Sequence, residues 1–562
     1  MMPSMRSGCL LSALVATAGL MTWGAARAED RPAAVRWPPD ATAVIQRLAI
    51  QHDGRLKPFD SFARETIWRI AGISRIGRED PLTTILAIIA EPDAWQAQPI
   101  IAVPFLPLRQ ALGMDRHASH VSYNDLVATR KLMRMLPAIV AKQQREEKLT
   151  MLEQETMDAF DRFATFSGLI EQRLPMLPPP PGAGATANRV WVSIAEPSGY
   201  PDTQQAAIRN GWNQLLAALR RHDAAAVGPS ARTLSDALRQ ANPAAYPASW
   251  RLSLEVFYNR FGPFRVARLI YWLAALILLL ALAGRPPFLR AGMAAFALGA
   301  ACHLGGISMR VVLGGRPPVS NFFETLLWLP FVAVVLALVF ERIYRAGSFS
   351  LAASVLAAIA LTLADLVPLD SSISPVVAVL RSNLWLTIHV LTIVASYGAL
   401  ALATVLAHLY GWAYLARPQR SKSDQLRANL ASLDLFLYRV LQVGVVLLAA
   451  GIMLGAVWAN ASWGRYWGWD PKETWALITL LWFLAVLHGR FAGWLHGVGV
   501  AVATIAGFLL LLMTYYGVIF YLVGLHSYAG GHAKPIPLLL IGYLIAELAF
   551  LGLVGFTALR RQ

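Results

Sequence analysis

From Arg265 onward the chain alternates between apolar runs of about 20 residues and short polar clusters, and a helix of that length matches the hydrocarbon core of a bilayer. Nine spans are predicted, at roughly 265–284, 289–309, 321–340, 349–366, 384–409, 435–459, 472–492, 497–522 and 536–558. Residues 29–264 follow a different pattern. In FDSFARETIWRIAG, Phe59, Phe62, Ala63, Ile67 and Ile70 recur at helical spacing among polar residues. Residues 122–172 and 203–241 read as further polar-faced helices, and LPMLPPPPGAGATAN (174–188) as a Pro/Gly loop that is neither helix nor strand. The predicted fold class is a polytopic α-helical membrane protein of about nine spans after a signal peptide, with a mostly helical N-terminal extracytoplasmic domain.

The signal peptide is read from Arg6, the apolar stretch after it and the small-residue end Ala26-Arg27-Ala28, which places cleavage before Glu29. An uncleaved anchor is the alternative. The expected divisions are 1–28, an outer domain 29–264 and a membrane domain 265–562. With the domain outside, the inner connections carry Arg285 and Arg290, Arg342 and Arg345, Arg417, Arg420, Lys422 and Arg427, then Arg490, then Arg560 and Arg561, in keeping with the positive-inside rule. The net charge of +16 therefore does not point to nucleic acid: from Arg265 onward 20 Lys/Arg face 9 Asp/Glu, and the basic residues punctuate loops rather than form a stripe. The two cysteines, Cys9 and Cys302, both lie in apolar segments, which excludes a disulfide framework and a C-x-x-C redox motif.

The chemistry gathers on one face. WGRYWGWDPKETWAL places Trp463, Trp467, Trp469 and Trp475 within thirteen residues, at the outer end of two spans. Asp470, Pro471 and Glu473 are what a helix start with a capping box requires, and tryptophan is common at membrane interfaces, so a purely structural reading stands. The rival reading is a platform of indoles for a flat apolar ligand, across the loop 458–471 and on to residue 475. His389 and His526 fall at the same outer face, and neutral imidazoles are common haem-iron ligands. His488 lies 15 residues after Glu473, about 22 Å along a helix, and an ionisable residue inside the membrane is a functional candidate. His303 and His408 read as packing residues, and His52, His117 and His120 as surface polar residues.

WGRYWGWDPKETWALITLLWFLAVLHGR resembles the tryptophan-rich WWD signature of haem-handling proteins in cytochrome c biogenesis. SNLWLTIHVLTIVASYGAL and GLHSYAGG resemble the two outer-histidine segments of the CcsA (ResC) type, and RPPVSNFFETLLW its Pro-x-Ser-Asn-x-x-Glu entrance to an earlier span. QHDGRLKPFDSFARE and FYNRFGPFRVARLIYW resemble the extracytoplasmic end of the ResB-like half of fused CcsB–CcsA synthases, with the early spans of that half replaced by the signal peptide.

The resemblance implies a system II cytochrome c synthase in the bacterial inner (cytoplasmic) membrane, with its soluble domain on the periplasmic side. Such a protein brings haem b to the outer face and attaches it to the C-x-x-C-H cysteines of an apocytochrome c. His389 and His526 map onto the outer axial ligands and His488 onto the intramembrane one. Trp463, Trp467, Trp469, Asp470 and Trp475 map onto the haem-handling motif. The second intramembrane ligand is left to a ResB/CcsB-like partner chain, to His303 or His408, or to an altered inner site. Thiol reductants would keep the substrate cysteines reduced. Arg465, Lys472, Arg310 and Arg316 are candidates for the haem carboxylates by charge and location. A haem exporter or chaperone that forms no thioether is the alternative, and a membrane protein without haem the more distant one.

Overall fold

Each apolar run forms one helix. The computed structural model describes residues 37–181, 190–283, 285, 287–367, 369–375, 384–416, 424–526 and 536–561. The expected signal peptide, Arg417, Arg420 and Lys422, part of the Pro/Gly loop and the segment after His526 lie outside them. Among the described residues nine helices are long and apolar enough to cross a membrane, so the chain is a multi-pass helical membrane protein. They are α1 (Pro263–Leu282), α2 (Phe288–Gly314), α3 (Phe322–Tyr344), α4 (Ser348–Leu366), α5 (Leu384–Leu415), α6 (Asp424–Trp463), α7 (Pro471–Phe491), α8 (Val498–Leu512) and α9 (Leu538–Arg561). A single π-helical turn, Met513–Gly517, extends α8 toward a last helical turn at Val518–Tyr521. Consecutive helices run in opposite directions, so α5 begins, α6 ends, α7 begins and His526 falls at the end of the bundle that faces the soluble domain.

Helix starts follow local chemistry. Asn321 caps α3 by accepting from the Glu324 amide at 2.8 Å, and Glu324 accepts back from Ser320 N at 2.9 Å. Inside the bundle small residues let helices approach closely. Ala352, Ala353, Ala357 and Ala358 of α4 are fully buried. Along α6, Gly444, Gly451 and Gly455 face α5, where an added Cβ would strike Leu400, Ile393 and His389 in turn. α6 extends past its predicted boundary, so Trp458 and Trp463 stand on its last turns and the loop proper is 464–470.

The soluble domain packs helices around a core that includes Phe59, Phe62, Ala63, Ile67 and Ile70. It also contains three short antiparallel ladders that helical periodicity does not reveal. The first joins β1 (Ala49–His52) to β2 (Arg55–Pro58) across Asp53-Gly54. The third corrects the reading of 174–188: Pro175–Leu177 is a strand paired with Val192–Ser193, because Met176 and Leu177 are fully buried while Pro175 sits at an irregular edge where its missing N–H costs little. A second correction concerns the histidines. His120 is half-buried and shares a hydrogen with Ala71 O at 2.9 Å, and His52 is half-buried among charges, whereas His117 is exposed.

The helix Ser249–Phe261 carries the domain into α1 and is held on both sides. Glu255, 4 % exposed, accepts from Arg55 at 2.6 and 2.8 Å and from Ser61 at 2.6 Å. Tyr258 accepts from Arg310 at 3.0 Å, and Arg251 donates to Leu313 O at 3.1 Å. Glu324, 2 % exposed, lies between Arg310 (2.9 Å) and Arg316 (2.7 Å), and these guanidiniums also bind the carbonyls of Ser371, Ser372 and Ser374. Two arginines considered for a ligand's carboxylates are thus already engaged in a buried network that seams the domain to the bundle.

Candidate functional site

His389 stands on the second turn of α5. The close approach allowed by Gly451 and Gly455 brings its ring against α6, where Nδ1 lies 2.8 Å from the Gly451 carbonyl. That oxygen can only accept, so Nδ1 carries the hydrogen and Nε2 of the neutral ring carries the lone pair. Trp458, one turn beyond Gly455, stacks on the same imidazole with centroids 6.2 Å apart and planes 8° apart.

His526 reaches the site from the turn that follows Val518–Tyr521. Its Nδ1 lies 2.8 Å from Asp470 Oδ2. The other Asp470 oxygen accepts from the Leu525 amide at 2.6 Å. Gly524 makes this approach possible, since a Cβ there would stand 2.5 Å from Asp470 Oδ1. The same carboxylate caps α7 through Lys472 N at 3.0 Å, while Glu473 completes the capping box on Asp470 N at 3.3 Å. Burial alone would raise the Asp470 pKa; the hydrogen bonds from His526 and the two amides outweigh it and hold the group ionised below its ordinary value.

The tryptophans divide into two sets. Trp458, 2 % exposed, meets Trp463 edge-on at 4.6 Å and lies 6.1 Å from His526, and Trp463 meets His526 at 5.3 Å and 89°. Trp458 therefore meets both imidazoles, and Trp463 meets His526. Trp467 and Trp469 form a separate T-shaped pair at 5.7 Å, and Trp469 is 70 % exposed with φ at 57°, a left-handed conformation that strains a bulky residue. Glu473 Oε2 fixes this part of the loop by accepting from Gly468 N at 2.7 Å. Arg465 lies 5.8 Å over the Trp463 ring and 3.7 Å from Glu473. Trp475 is half-buried inside α7, and its carbonyl accepts from Thr479 and Thr514 at 2.8 and 3.0 Å. Lys472 points inward and donates to Thr514 O at 2.7 Å, in the π turn.

Of the remaining histidines, His488 is exposed on the far half of α7, two residues before Arg490, which pairs with Asp434 at 2.7 Å. Its Nδ1 is bound to Leu484 O at 2.8 Å. His303 is fully buried with Nε2 3.0 Å from Leu327 O and Nδ1 3.4 Å from Tyr271 OH. His408 has Nδ1 2.8 Å from Thr404 O and Nε2 3.0 Å from Glu547. Neither has a ring nitrogen to spare. A cluster of His52, Asp53 and Glu65 in the domain has metal-ligand spacing, but the Lys57 ammonium already binds Glu65 and lies 3.4 Å from His52.

Chemically, two imidazoles, one on α5 and one in the turn beyond Val518–Tyr521, both held through Nδ1 and flanked by an edge-on pair of indoles, suit a planar apolar molecule with a metal centre. Trp458 was already part of the expected indole platform; residues that sequence reasoning did not single out are Gly451 and Gly455, for which the spacing of small residues along α6 was the available signal.

Comparison with known proteins agrees in outline. Residues 319–526 match the model of a family described as cytochrome C assembly protein, a stretch that contains His389, the tryptophan loop, His488 and His526. The chain is 29 % identical over 510 residues to protein NrfI of Wolinella succinogenes, an alignment covering 86 % of this chain and 54 % of NrfI, so the chain spans about half the length of that relative. It is 36 % identical over 244 residues to cytochrome c biogenesis protein CcsA of Prochlorococcus marinus, covering 38 % of this chain and 76 % of that protein. With CcsA of Gloeobacter violaceus it shares 32 % identity over 343 residues, which is 50 % of this chain and 98 % of that protein.

Proposed function

This chain belongs to the CcsA family of cytochrome c biogenesis proteins, and on that premise we propose that it holds haem b at the outer end of its helix bundle and attaches it to the C-x-x-C-H cysteines of an apocytochrome c. A role in cytochrome c biogenesis and haem handling follows from the family. The residues and the attachment step are our reading. One observation carries it: His389 on α5 and His526 in the turn beyond Val518–Tyr521 both have Nδ1 engaged and Nε2 free of any described hydrogen bond, and both contact Trp458. Second partners of this kind orient a metal-binding imidazole and raise its basicity.

Haem is the substrate in this scheme, and its iron would be held by His389 and His526. The chain's own contribution is placement, which supplies a large part of many rate enhancements. Trp458 and Trp463 shield one region of the site, and Glu473 fixes the loop that bears Trp467 and Trp469. Each substrate thiol adds across one vinyl group: an S–C bond and a C–H bond form, the S–H bond and the vinyl π bond are lost, and nothing is oxidised. The thiols must arrive reduced, which calls for a separate reductant.

We further propose that the membrane is the bacterial inner membrane, with residues 29–264 as the periplasmic domain. His488 would serve as an inner haem ligand together with a ResB/CcsB-like partner. The exposure of His488 on the bundle surface supports a ligand from outside the chain, as do the fully engaged rings of His303 and His408.

The test is co-expression of the full chain and its partner with a C-x-x-C-H substrate, followed by denaturing electrophoresis and a haem stain. Covalent haem on the substrate, lost in His389→Ala and His526→Ala, is the expected result. Haem-loaded protein without covalent product, despite a complete partner set, would instead establish the exporter or chaperone reading.

A further inference from the structure

We propose that the indole N–H of Trp458 donates to a carboxylate of the bound haem, which makes Trp458 a specificity-determining residue; the inference rests on the haem-holding reading above. Trp458 is 2 % exposed, and it is in ring contact with both imidazoles and with Trp463. Its Nε1 is buried and has no hydrogen-bond partner among the described residues. An indole N–H is a donor only, so it must find an acceptor or remain at a loss.

Other indoles in the bundle do find one. Trp328 donates to Leu391 O at 3.3 Å and Trp482 to Ala503 O at 2.9 Å. Trp95, also without an acceptor, lies in the core of the soluble domain, away from these imidazoles. Among the described residues, the bundle's buried indole without an acceptor therefore stands in ring contact with both candidate iron ligands. Arg465 Nη1, over the neighbouring Trp463 ring, is likewise buried without a hydrogen-bond partner, whereas the unpartnered hydroxyls of Ser348 and Ser354 lie on α4.

The chemistry of the molecule limits what that donor can meet. The four pyrrole nitrogens of a haem are bound to iron, and the vinyl and methyl groups accept nothing. The two propionate carboxylates are the acceptors that remain. A donor placed within the ligand's footprint thus reads the propionate edge, and by doing so fixes which edge carries the vinyl groups outward. His389 and His526 hold an iron but cannot choose an edge, because rotation about the iron–nitrogen axis leaves both bonds intact.

The experiment uses the full-length protein in detergent, titrated with haem and with iron etioporphyrin, which keeps the iron and macrocycle and has only alkyl groups in place of the propionates. Visible absorption reports the two-imidazole complex. Wild type is expected to prefer haem, and Trp458→Phe, which keeps an aromatic ring without the N–H, to lose about tenfold in haem affinity with etioporphyrin binding unchanged. Equal loss of both ligands, or a haem preference that survives in Trp458→Phe, overturns the inference. So does a wild type that does not discriminate the two, a result that needs no variant. If neither ligand gives a spectrum sensitive to His389→Ala and His526→Ala, the haem-holding reading fails and this inference with it.

Discussion

Gly455→Ala is expected to leave the bundle folded and to strip it of haem. A Cβ at 455 would stand 2.6 Å from Cε1, 2.9 Å from Nδ1 and 3.2 Å from Nε2 of His389. These atoms belong to one rigid ring, so no single terminal atom can yield. The whole imidazole must turn, and it gives up its 2.8 Å bond to Gly451 O. The lost hydrogen bond costs about 1 kcal/mol and overpacking about 1–3 kcal/mol. Alanine in place of glycine in a helix interior returns about 1 kcal/mol. The net destabilisation is then about 1–3 kcal/mol, while the ligand's orientation is lost. Gly444→Ala is the matched control on the same helix pair: its Cβ would stand 2.7 Å from Leu400 Cδ2, a flexible aliphatic chain away from His389. Both variants would be purified in detergent, with thermal unfolding recorded and haem per polypeptide measured by absorbance after extraction. Similar shifts in Tm are expected, with haem affinity reduced about 10–100-fold in Gly455→Ala and retained in Gly444→Ala. Wild-type haem content in Gly455→Ala, or equal loss in the control, would refute the reasoning.

Asp470→Ser keeps a good N-cap for α7 but cannot serve His526 and Leu525 as well; haem affinity is expected to fall about 10–100-fold with little change in Tm, and a titration showing undiminished affinity would count against the clamp. Glu324→Gln leaves Arg310 and Arg316 buried with less than a full counter-charge, so a loss of stability of up to about 3–5 kcal/mol is expected, read as a lower unfolding temperature for the whole chain. In the soluble domain, burial alone would lower the His52 pKa, but Asp53 and Glu65 outweigh it and raise it above 6.5. Its stabilising contribution is therefore complete below pH 6.5 and is lost as pH rises through the folded value. The same pairs hold Asp53 and Glu65 below their ordinary values, so their contribution persists above about pH 4 and is lost as the solution is acidified further. Thermal unfolding of the domain should thus be lower at pH 8.5 than at pH 6, and His52→Gln should flatten that difference.

The membrane half was legible because hydrophobic runs and basic loops are set by the bilayer itself: all nine predicted spans are helices, with most boundaries displaced by a few residues and the start of α6 moved from 435 to Asp424. The extension at the end of α6, from 459 to Trp463, has a physical cause. Trp458 and Trp463 bury against His389, His526 and each other, and that packing extends the helix beyond the point where its hydropathy falls. In the soluble domain the periodicity around Phe59–Ile70 identified a helix correctly. The hairpin at 49–58 was missed although Asp53-Gly54 is a recognised turn signal, because its flanking residues do not alternate cleanly. Charge and outer location suggested Arg310, Arg316 and Lys472 as ligand contacts. Only three-dimensional neighbours show that Glu324 and a set of backbone carbonyls already engage them. Likewise, Asp470 was legible as a cap, but its bond to a histidine 56 residues away was not.

That bond explains how the spacing between the two imidazoles is set. The segment from the π turn to His526 is attached to α7 at both of its ends. Lys472 of α7 binds Thr514 O in the widened turn at 2.7 Å, and Asp470 binds Leu525 N and His526 Nδ1 at its end. A π turn adds a residue relative to a regular helix, which rotates the residues beyond it by about 100°, and so helps to aim the chain back over the start of α7. His526 is therefore referenced to α7. His389 is referenced to α6, through Gly451 O and the Trp458 ring. The end of α6 and the start of α7 are linked by the loop 464–470, pinned internally by Glu473 on Gly468 N. The length and internal bonding of this loop thus govern where one imidazole stands relative to the other, whereas its outward side chains, Tyr466 at 62 % and Trp469 at 70 % exposure, are left to meet whatever approaches from outside. The structural and the chemical readings of Trp-Asp-Pro-Lys-Glu are consequently one reading: the capping carboxylate is the device that converts the start of a helix into a fixed position for His526, the proposed haem ligand.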